Sequence, residues 1–494
     1  MLRITSRPIT VLSNDQLEEI HLASLRLLQE VGVEILDHRA LDLLATFGAE
    51  VDPSSNRVKL APELVMDAVD RAPARFTMHS RNQDRAVEIG GNTMALAPVG
   101  GPAAVTELDT GNRPGTYTDQ VNFIKLSQHA RLLDMAYRCV DAQDLPPNTR
   151  QLDYLYAALR YSDKPLAVMS LDADGAMDSL AVASLPFGGE ARLEKRPVVM
   201  GGVNVDSPLR FSRDTLETIL IFADAGQPLK ITPFILTGIM SPVTLAGALA
   251  QQNAETLAAI ALAQLVHPGT PVLYGSFGTH ADMRAAVPVF GSPEGIMLEV
   301  AAGQLAARYR IPHRGMGLVT TSPTSGFRAA MEKMNCLWGL TFSNVQLLIH
   351  AAGWLAGGLV AGYEQFVLDL EMLETMERFL GGFPVGPETL AIDTVAAVGP
   401  GGSYLMAEHT LAHYRDAVHT SPLMETGLTE DGGAPEALLR RANSLWKKWL
   451  EEYQEPPLHP AIEEAAREYV ERRKRGERPR STAIPTPQAP SSRQ

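Results

Sequence analysis

The chain has 494 residues, 45% of them hydrophobic and 20% charged, with a formal net charge of −14. That balance suits a globular protein with a large core and excludes a nucleic-acid binder, which needs a basic face. Two cysteines, Cys139 and Cys336, are too few for a disulfide framework and lack zinc-ligand spacing, so a reducing cytoplasm and no metal of its own are expected.

The start, MLRITSRPITVLSND, has no apolar core long enough for a secretory signal. No stretch reaches about 18 uninterrupted apolar residues, so no membrane span is expected. Residues 14 to 48 read as paired amphipathic helices capped by Asn14 or Asp15, with Leu17, Ile20, Leu25 and Leu28 recurring on one face. A short helix follows near 61 to 72. These make residues 1–92 a helical lead-in.

From residue 93, short apolar runs alternate with segments of helical period. The runs are TMALAPVG (93–100), MAYRCVDA (135–142), PLAVMSLD (165–172), PVVMGGVNV (197–205), PLKITPFILTG (228–238), PVLYGSFG (271–278), PHRGMGLVT (312–320) and VQLLIHAAG (345–353). Eight nearly continuous apolar strands joined by crossover helices predict a closed parallel barrel, a (β/α)8 α/β fold over 93–385. An open doubly wound sheet is the alternative. Further helices near 387–396, 404–418, 435–454 and 460–474 predict a C-terminal extension packed on the barrel over 386–475. The polar, Pro- and Ser-rich segment 476–494 is expected to be disordered, beside a solvated basic helix end at Arg472 to Arg475.

In such a barrel the site lies at the C-terminal ends of the strands. That rule selects Asp141 after the second run, Asn204 after the fourth, Thr237 after the fifth, and Ser276 and Phe277 after the sixth. Thr320 follows from the seventh, and His350, Trp354, Tyr363 and Glu364 from the eighth. Each has a plainer reading: Asp and Asn after strands cap helices, a histidine in an apolar run is often a bonded core residue, and Glu364 opens a helix whose dipole favours it. No GxxxxGK[ST], HExxH or GxSxG is present, and VMGGVNV lacks the third glycine of a dinucleotide fingerprint. VGPGGSY, with Gly399 to Gly402, is a glycine-rich turn opening a helix.

Several long stretches resemble one family. They are LEEIHLASLRLLQEVGVEILDHRALDLLATFGAEVD (17–52), VKLAPELVMDAVDRAPARFTMHSRN (58–82), SDKP (162–165), SPLRFSRDTLETILIFADAGQPLKITP (207–233), SPVTLAGALAQQNAETLAAIALAQLVHPGTPVLYGSF (241–277), DMRAAVPVFGSPE (282–294), AGYEQFVLDLEML (361–373) and VGPGGSYLMAEHTLAHYR (398–415). Covering about 14 to 470, they resemble the trimethylamine methyltransferase family. The resemblance implies a (β/α)8 enzyme that passes a methyl group from a methylated amine to the Co(I) of a corrinoid (cobalamin) carried by a separate, cognate corrinoid protein. The founding members carry pyrrolysine. This chain has only ordinary residues and so resembles the other branch, whose characterised members use quaternary amines such as glycine betaine. The segment GLVTTSPTSGF (317–327) departs from the Asp-containing run of relatives.

A quaternary nitrogen already has a neutral amine as its leaving group, so the protein must chiefly align nitrogen, methyl and cobalt. Aromatic faces and a nearby carboxylate suit such a cation. Phe234, Phe277, Trp354 and Tyr363 are the expected rings, with Asp141 and Glu364 supplying negative charge. Ser276, Thr320, Asn204 and His350 are expected to bind a substrate carboxylate or the corrinoid edge, and Glu364 and His350 to be the catalytic pair. Two other readings stand beside this one: a non-catalytic binding relative, and transfer from a different donor such as a sulfonium. Self-association is plausible at this size.

Overall fold

The computed structural model describes residues 1–478 apart from 6–7, 171, 194–195, 422 and 425–434. Most of the segment expected to be disordered, from 479 on, therefore lies outside the described residues.

All eight apolar runs become strands of one parallel barrel. In chain order they are β1 (Thr93–Leu96), β2 (a single bridge at Ala136), β3 (Leu166–Ala167), β4 (Val199–Val203), β5 (Leu229–Ile231), β6 (Val272–Gly275), β7 (His313–Gly315) and β8 (Leu347–Leu348). Each pairs with the next, through Ala136 with Leu166, Leu166 with Val199, Gly201 with Leu229, Leu229 with Val272, Tyr274 with His313 and Arg314 with Leu347. The ring closes where Leu347 pairs with Ala95 and Met135 N donates to Leu96 O. The barrel removes every sheet edge, which an open sheet would leave to solvent.

Eight helices form the outer layer: α1 (Tyr117–His129), α2 (Arg150–Tyr161), α3 (Ala173–Ser184), α4 (Arg213–Asp224), α5 (Leu245–Val266), α6 (Pro293–Arg308), α7 (Phe327–Thr341) and α8 (Tyr363–Gly381). α5 is buried along nearly its whole length. Its sequence, LAGALAQQNAETLAAIALAQLV, has no polar stripe, and a helix apolar all round must be covered on its outer side too. The N-terminal helices Asn14–Arg26 and Pro62–Val69 supply that cover. Ser13 caps the first of them in a capping box with Gln16, one residue before the expected cap.

Besides its helices the N-terminal segment carries strands. Glu50–Asp52, Arg57–Lys59 and Val33–Ile35 form a small sheet that Arg210–Phe211 joins. A hairpin of Arg75–Met78 and Val87–Gly90 closes the barrel floor. Its Phe76, Met78, Val87 and Ile89 pack against the inward Ala95, Met135, Met200, Leu273 and Leu347.

The C-terminal extension divides in two. Pro435–Glu451 packs on α8 and α1, and Pro460–Lys474 on α2. Within the basic end of the second, Arg473 pairs with Asp174 and Asp178 of α3 and Lys474 with Asp153 of α2, whereas Arg472 and Arg475 stay exposed. Between α8 and these helices, residues 382–421 contain no buried residue. Among the described residues no helix is long and apolar enough to cross a membrane.

Candidate active site

A cavity of about 220 Å³ opens at the C-terminal face of the barrel. Every strand contributes to its wall: Gly100 and Gly101 after β1, Tyr137 and Arg138 after β2, Met169 after β3, Asn204 after β4, Lys230, Thr232 and Phe234 from β5 onward, Phe277 after β6, Arg314 in β7, and His350 and Trp354 after β8. Asn204 is exposed and Arg138, Phe234 and Phe277 are half-buried, so the mouth is open to solvent.

Alternation along the strands puts two cations inside. Lys230 lies between the outward Leu229 and Ile231, and Arg314 between His313 and Gly315. Inward residues of a parallel barrel are normally apolar. Room for Lys230 comes from its neighbour Gly202, where a Cβ would stand 2.3 Å from Lys230 Nζ. Lys230 Nζ donates to Val168 O at 2.6 Å and lies 5.4 Å from the centre of the Tyr137 ring. Burial, then the charges of Arg314 and Arg138, push its pKa well below the usual lysine value. Arg314 Nη1 donates to Ser276 O at 3.0 Å, its guanidinium lies 5.2 Å from the Phe277 ring centre, and its buried Nε has no partner.

Among the described residues neither Lys230 nor Arg314 has an ion-pair partner, and no carboxylate lines the cavity. Burying a charge without an ion pair costs several kcal/mol, roughly, and the charge of Glu299 offsets part of that cost for Arg314. Below it, fully buried Glu299 accepts from Met316 N at 2.9 Å, and burial raises its pKa to about 7.

The rings form one cluster. Phe277 lies 5.4 Å from Phe234, 5.5 Å from Phe290, 5.9 Å from His350 and 6.0 Å from Trp354. The buried indole N–H of Trp354 has no acceptor. His350 sits in the left-handed region at φ 64°, its Nδ1 accepting from Gly100 N at 3.1 Å. Burial and the three cations Arg314, Lys230 and Lys333 lower its pKa well below the usual value. Its imidazole is therefore neutral, and with Nδ1 accepting, Nε2 carries the proton.

Of the residues selected from the sequence, the structure brings Asn204, Phe234, Phe277, His350 and Trp354 together here. Five others are engaged elsewhere. Glu364 Oε1 accepts from Asn443 Nδ2 at 2.9 Å, Trp446 Nε1 at 3.0 Å and Leu108 N at 3.2 Å, which fastens the C-terminal helix to α8. Tyr363 donates to Asp119, stacks on Phe123 and packs against Trp446. Asp141 is neutralised by Arg150 at 2.8 Å. Ser276 bonds His313 Nε2 behind the wall, and Thr320 donates to Glu332 of α7. The expected negative wall is thus a positive one, because both acidic candidates are engaged by partners off the cavity and the strand interiors carry lysine and arginine. Among the described residues no three His, Cys, Asp or Glu side chains gather to hold a metal ion.

Tyr137, Arg138, Met169, Lys230, Thr232 and Arg314 were not selected from the sequence. A signal for two of them was present, since Lys230 in PLKITP and Arg314 in PHRGMG are lone cations within otherwise apolar runs.

Comparison with known proteins agrees with the architecture. The chain is 33% identical over 466 residues to a glycine betaine methyltransferase of Desulfitobacterium hafniense, covering 94% of this chain and 97% of that one. It is 28% identical to a proline betaine:corrinoid methyltransferase of Eubacterium limosum, covering 90% and 92%. The crystal structure of the hydroxylamine MtmB complex matches with a TM-score of 0.54 at 13% identity, over 91% of this chain and 90% of that one, and shares the fold. The model of the trimethylamine methyltransferase family (MTTB) matches residues 1–477, and the chain belongs to that family.

Proposed function

We propose that the protein transfers a methyl group from a betaine, a quaternary amine that also carries a carboxylate, to the Co(I) of a corrinoid held by a separate protein. One observation carries the choice of donor: the cavity joins two buried cations that have no carboxylate at ion-pair distance among the described residues, Lys230 and Arg314, to a cluster of aromatic faces. A carboxylate about 4 Å from one such cation gains about 4 kcal/mol at an effective dielectric constant of 20. A ring face gives an ammonium group about 1 to 2 kcal/mol. The anionic end therefore outweighs the cationic one in this cavity, and an amine without a carboxylate meets net repulsion. Two relatives named for betaines support the same donor class.

The residues divide the work. Lys230, Arg314 and the Trp354 indole N–H hold the carboxylate, while Phe234 and Phe277, half-buried at the mouth, hold the methylated nitrogen toward the open end. Orientation is the main contribution the protein can make, because the leaving amine needs no proton. The C–N pair stays on nitrogen, giving a neutral tertiary amine, and the acceptor's Co(I) supplies the pair that bonds the methyl carbon. The open mouth fits an acceptor that arrives on another protein. Cys139 and Cys336 are buried free thiols, which a cytoplasmic setting preserves.

The test is spectroscopic. Purified protein is mixed with Co(I) corrinoid protein and either glycine betaine or tetramethylammonium, and formation of methyl-Co(III) is followed. Transfer from glycine betaine at least about 100-fold faster is expected from the energies above. Equal rates would sink the carboxylate reading.

A further inference from the structure

Of the three cations among the described residues that line the cavity, Arg138 is the one the proposed donor leaves unused. It follows the β2 bridge at Ala136 and is half-buried. A guanidinium presents its N–H donors in a rigid fork, yet among the described residues none of those of Arg138 has a hydrogen-bond acceptor. The carboxylate near it, Asp141, lies 3.9 Å from Nη1 and is already held by Arg150 at 2.8 Å. One negative charge divided between two arginines leaves one positive charge over.

The ring order places this charge. In a closed barrel of eight strands β2 stands opposite β6, so Arg138 faces the wall that carries Phe277. Lys230 of β5 and Arg314 of β7 flank β6 and lie deeper, both of them buried. Arg138 is close enough to Lys230 for its charge to help lower the lysine pKa. Gly101 keeps the approach to Arg138 clear. Its φ of 90° lies in the left-handed region, where a side chain is strained, and a Cβ there would stand 3.6 Å from Nη2.

Charge and space both exceed what a single carboxylate needs. Such a donor brings its own ammonium and adds no net negative charge, whereas the described wall has three cations and no carboxylate, with Glu299 offsetting part of Arg314 from behind. An apolar cavity of about 150 Å³ takes up a benzene molecule, and the barrel cavity measures about 220 Å³. Room therefore remains beside a donor as small as glycine betaine.

We propose that Arg138 forms a second anion subsite and that the donor fitting this cavity is a quaternary amine with two carboxylates. One carboxylate lies on Lys230 and Arg314, and the other meets the guanidinium fork of Arg138, a geometry that favours paired N–H···O bonds. The methylated nitrogen stays against Phe234 and Phe277. This subsite rests on the proposed betaine donor, and it adds the second charge.

Calorimetric titration of the full-length protein, without a corrinoid protein, tests it with three ligands. They are N,N,N-trimethylaspartate, N,N,N-trimethylasparagine, which has the same frame with an uncharged amide, and glycine betaine. The dicarboxylate is expected to bind at least about 10-fold more tightly than the amide, a difference of about 1.4 kcal/mol. Arg138→Met should bring that ratio close to one. Arg138→Lys keeps the charge without the fork and should give an intermediate ratio. Both variants should melt as the wild type does, because Asp141 retains Arg150. Equal affinity for dicarboxylate and amide, with glycine betaine also bound, would overturn the second subsite and leave the betaine donor standing. Binding of none of the three would remove the betaine donor and the subsite with it. A ratio that survives Arg138→Met would overturn the role of Arg138, and a fall in methyl transfer from saturating glycine betaine in that variant would then assign the arginine to the corrinoid protein.

Discussion

Lys333 Nζ lies 2.8 Å from Asp369 Oδ2, and both side chains are completely buried. The pair ties four elements together. Lys333 of α7 also donates to Leu318 O beyond β7, and Asp369 of α8 accepts from Gly353 N, next to Trp354, beyond β8. Two loops that form the cavity wall therefore depend on one buried pair. Removing one partner strands the other charge, at about 3 to 5 kcal/mol. Asp369→Ala should lower stability by about that amount in denaturant titrations, whereas the double change Lys333→Met/Asp369→Leu should recover most of it. If Asp369→Ala unfolds like the wild type, the pair does not hold the wall.

Arg314→Met removes one of the two cations proposed for the carboxylate while keeping an unbranched apolar stem. The expected outcome is a raised KM for glycine betaine, by about 10- to 100-fold for a loss of about 1.4 to 2.7 kcal/mol. Transfer from tetramethylammonium should rise or stay constant, because repulsion falls. A parallel loss with both donors would mean that Arg314 supports the barrel rather than the substrate.

The same cations make donor binding depend on pH. Burial and two neighbouring cations hold Lys230 well below the usual lysine pKa, so the empty site loses its charge earlier than a free lysine does. Carboxylate binding favours the charged form and is complete below the depressed pKa. It weakens as pH rises through that value. Calorimetric titration of glycine betaine across pH should show affinity falling on the alkaline side together with proton uptake on binding, and Lys230→Met should remove both effects.

Glu299 gives a separate, stability-linked pH effect. Its folded pKa is raised to about 7, above the unfolded value of 4.5. Its contribution is therefore fully present below about pH 4.5 and is lost as pH rises through about 7, a difference of roughly 3 kcal/mol. Glu299→Gln cannot ionise, and its melting temperature should fall less between pH 5 and 8 than that of the wild type. Equal slopes would assign the alkaline loss to other groups.

The barrel was legible in the sequence because its signal is local and repeated. Eight apolar runs ending in loop residues match eight strands to within a few positions, and the helices between them fall where the period requires. The site was half legible. Choosing residues just past the strand ends selects Asn204, Phe277 and His350, which line the cavity, yet that rule passes over Lys230 and Arg314, which stand inside the strands. Their direction depends on inward register, and their fit depends on Gly202 leaving room, neither of which a single run displays. The selected residues that lie off the cavity share one cause. Glu364, Tyr363 and Asp141 follow strands as site residues do, but each meets a partner outside its own segment, Asn443 and Trp446 for Glu364, Asp119 for Tyr363 and Arg150 at the start of α2 for Asp141. Pattern within a segment does not encode those pairings.

Glu364 shows the consequence for experiment. As a catalytic carboxylate its loss would stop transfer and leave the fold intact. In the structure its Oε1 gathers three donors, from Leu108, Asn443 and Trp446, and so clamps Pro435–Glu451 against α8. Glu364→Ala leaves those donors without their acceptor, at about 1 to 3 kcal/mol for each that water does not reach. The expected result is a melting temperature lower by several degrees, with methyl transfer per folded molecule within about two-fold of wild type, a change worth under 1 kcal/mol. Glu364→Gln keeps an acceptor oxygen and should lie between the two in stability. Strong loss of transfer at unchanged stability would return Glu364 to the chemistry and remove it from the clamp.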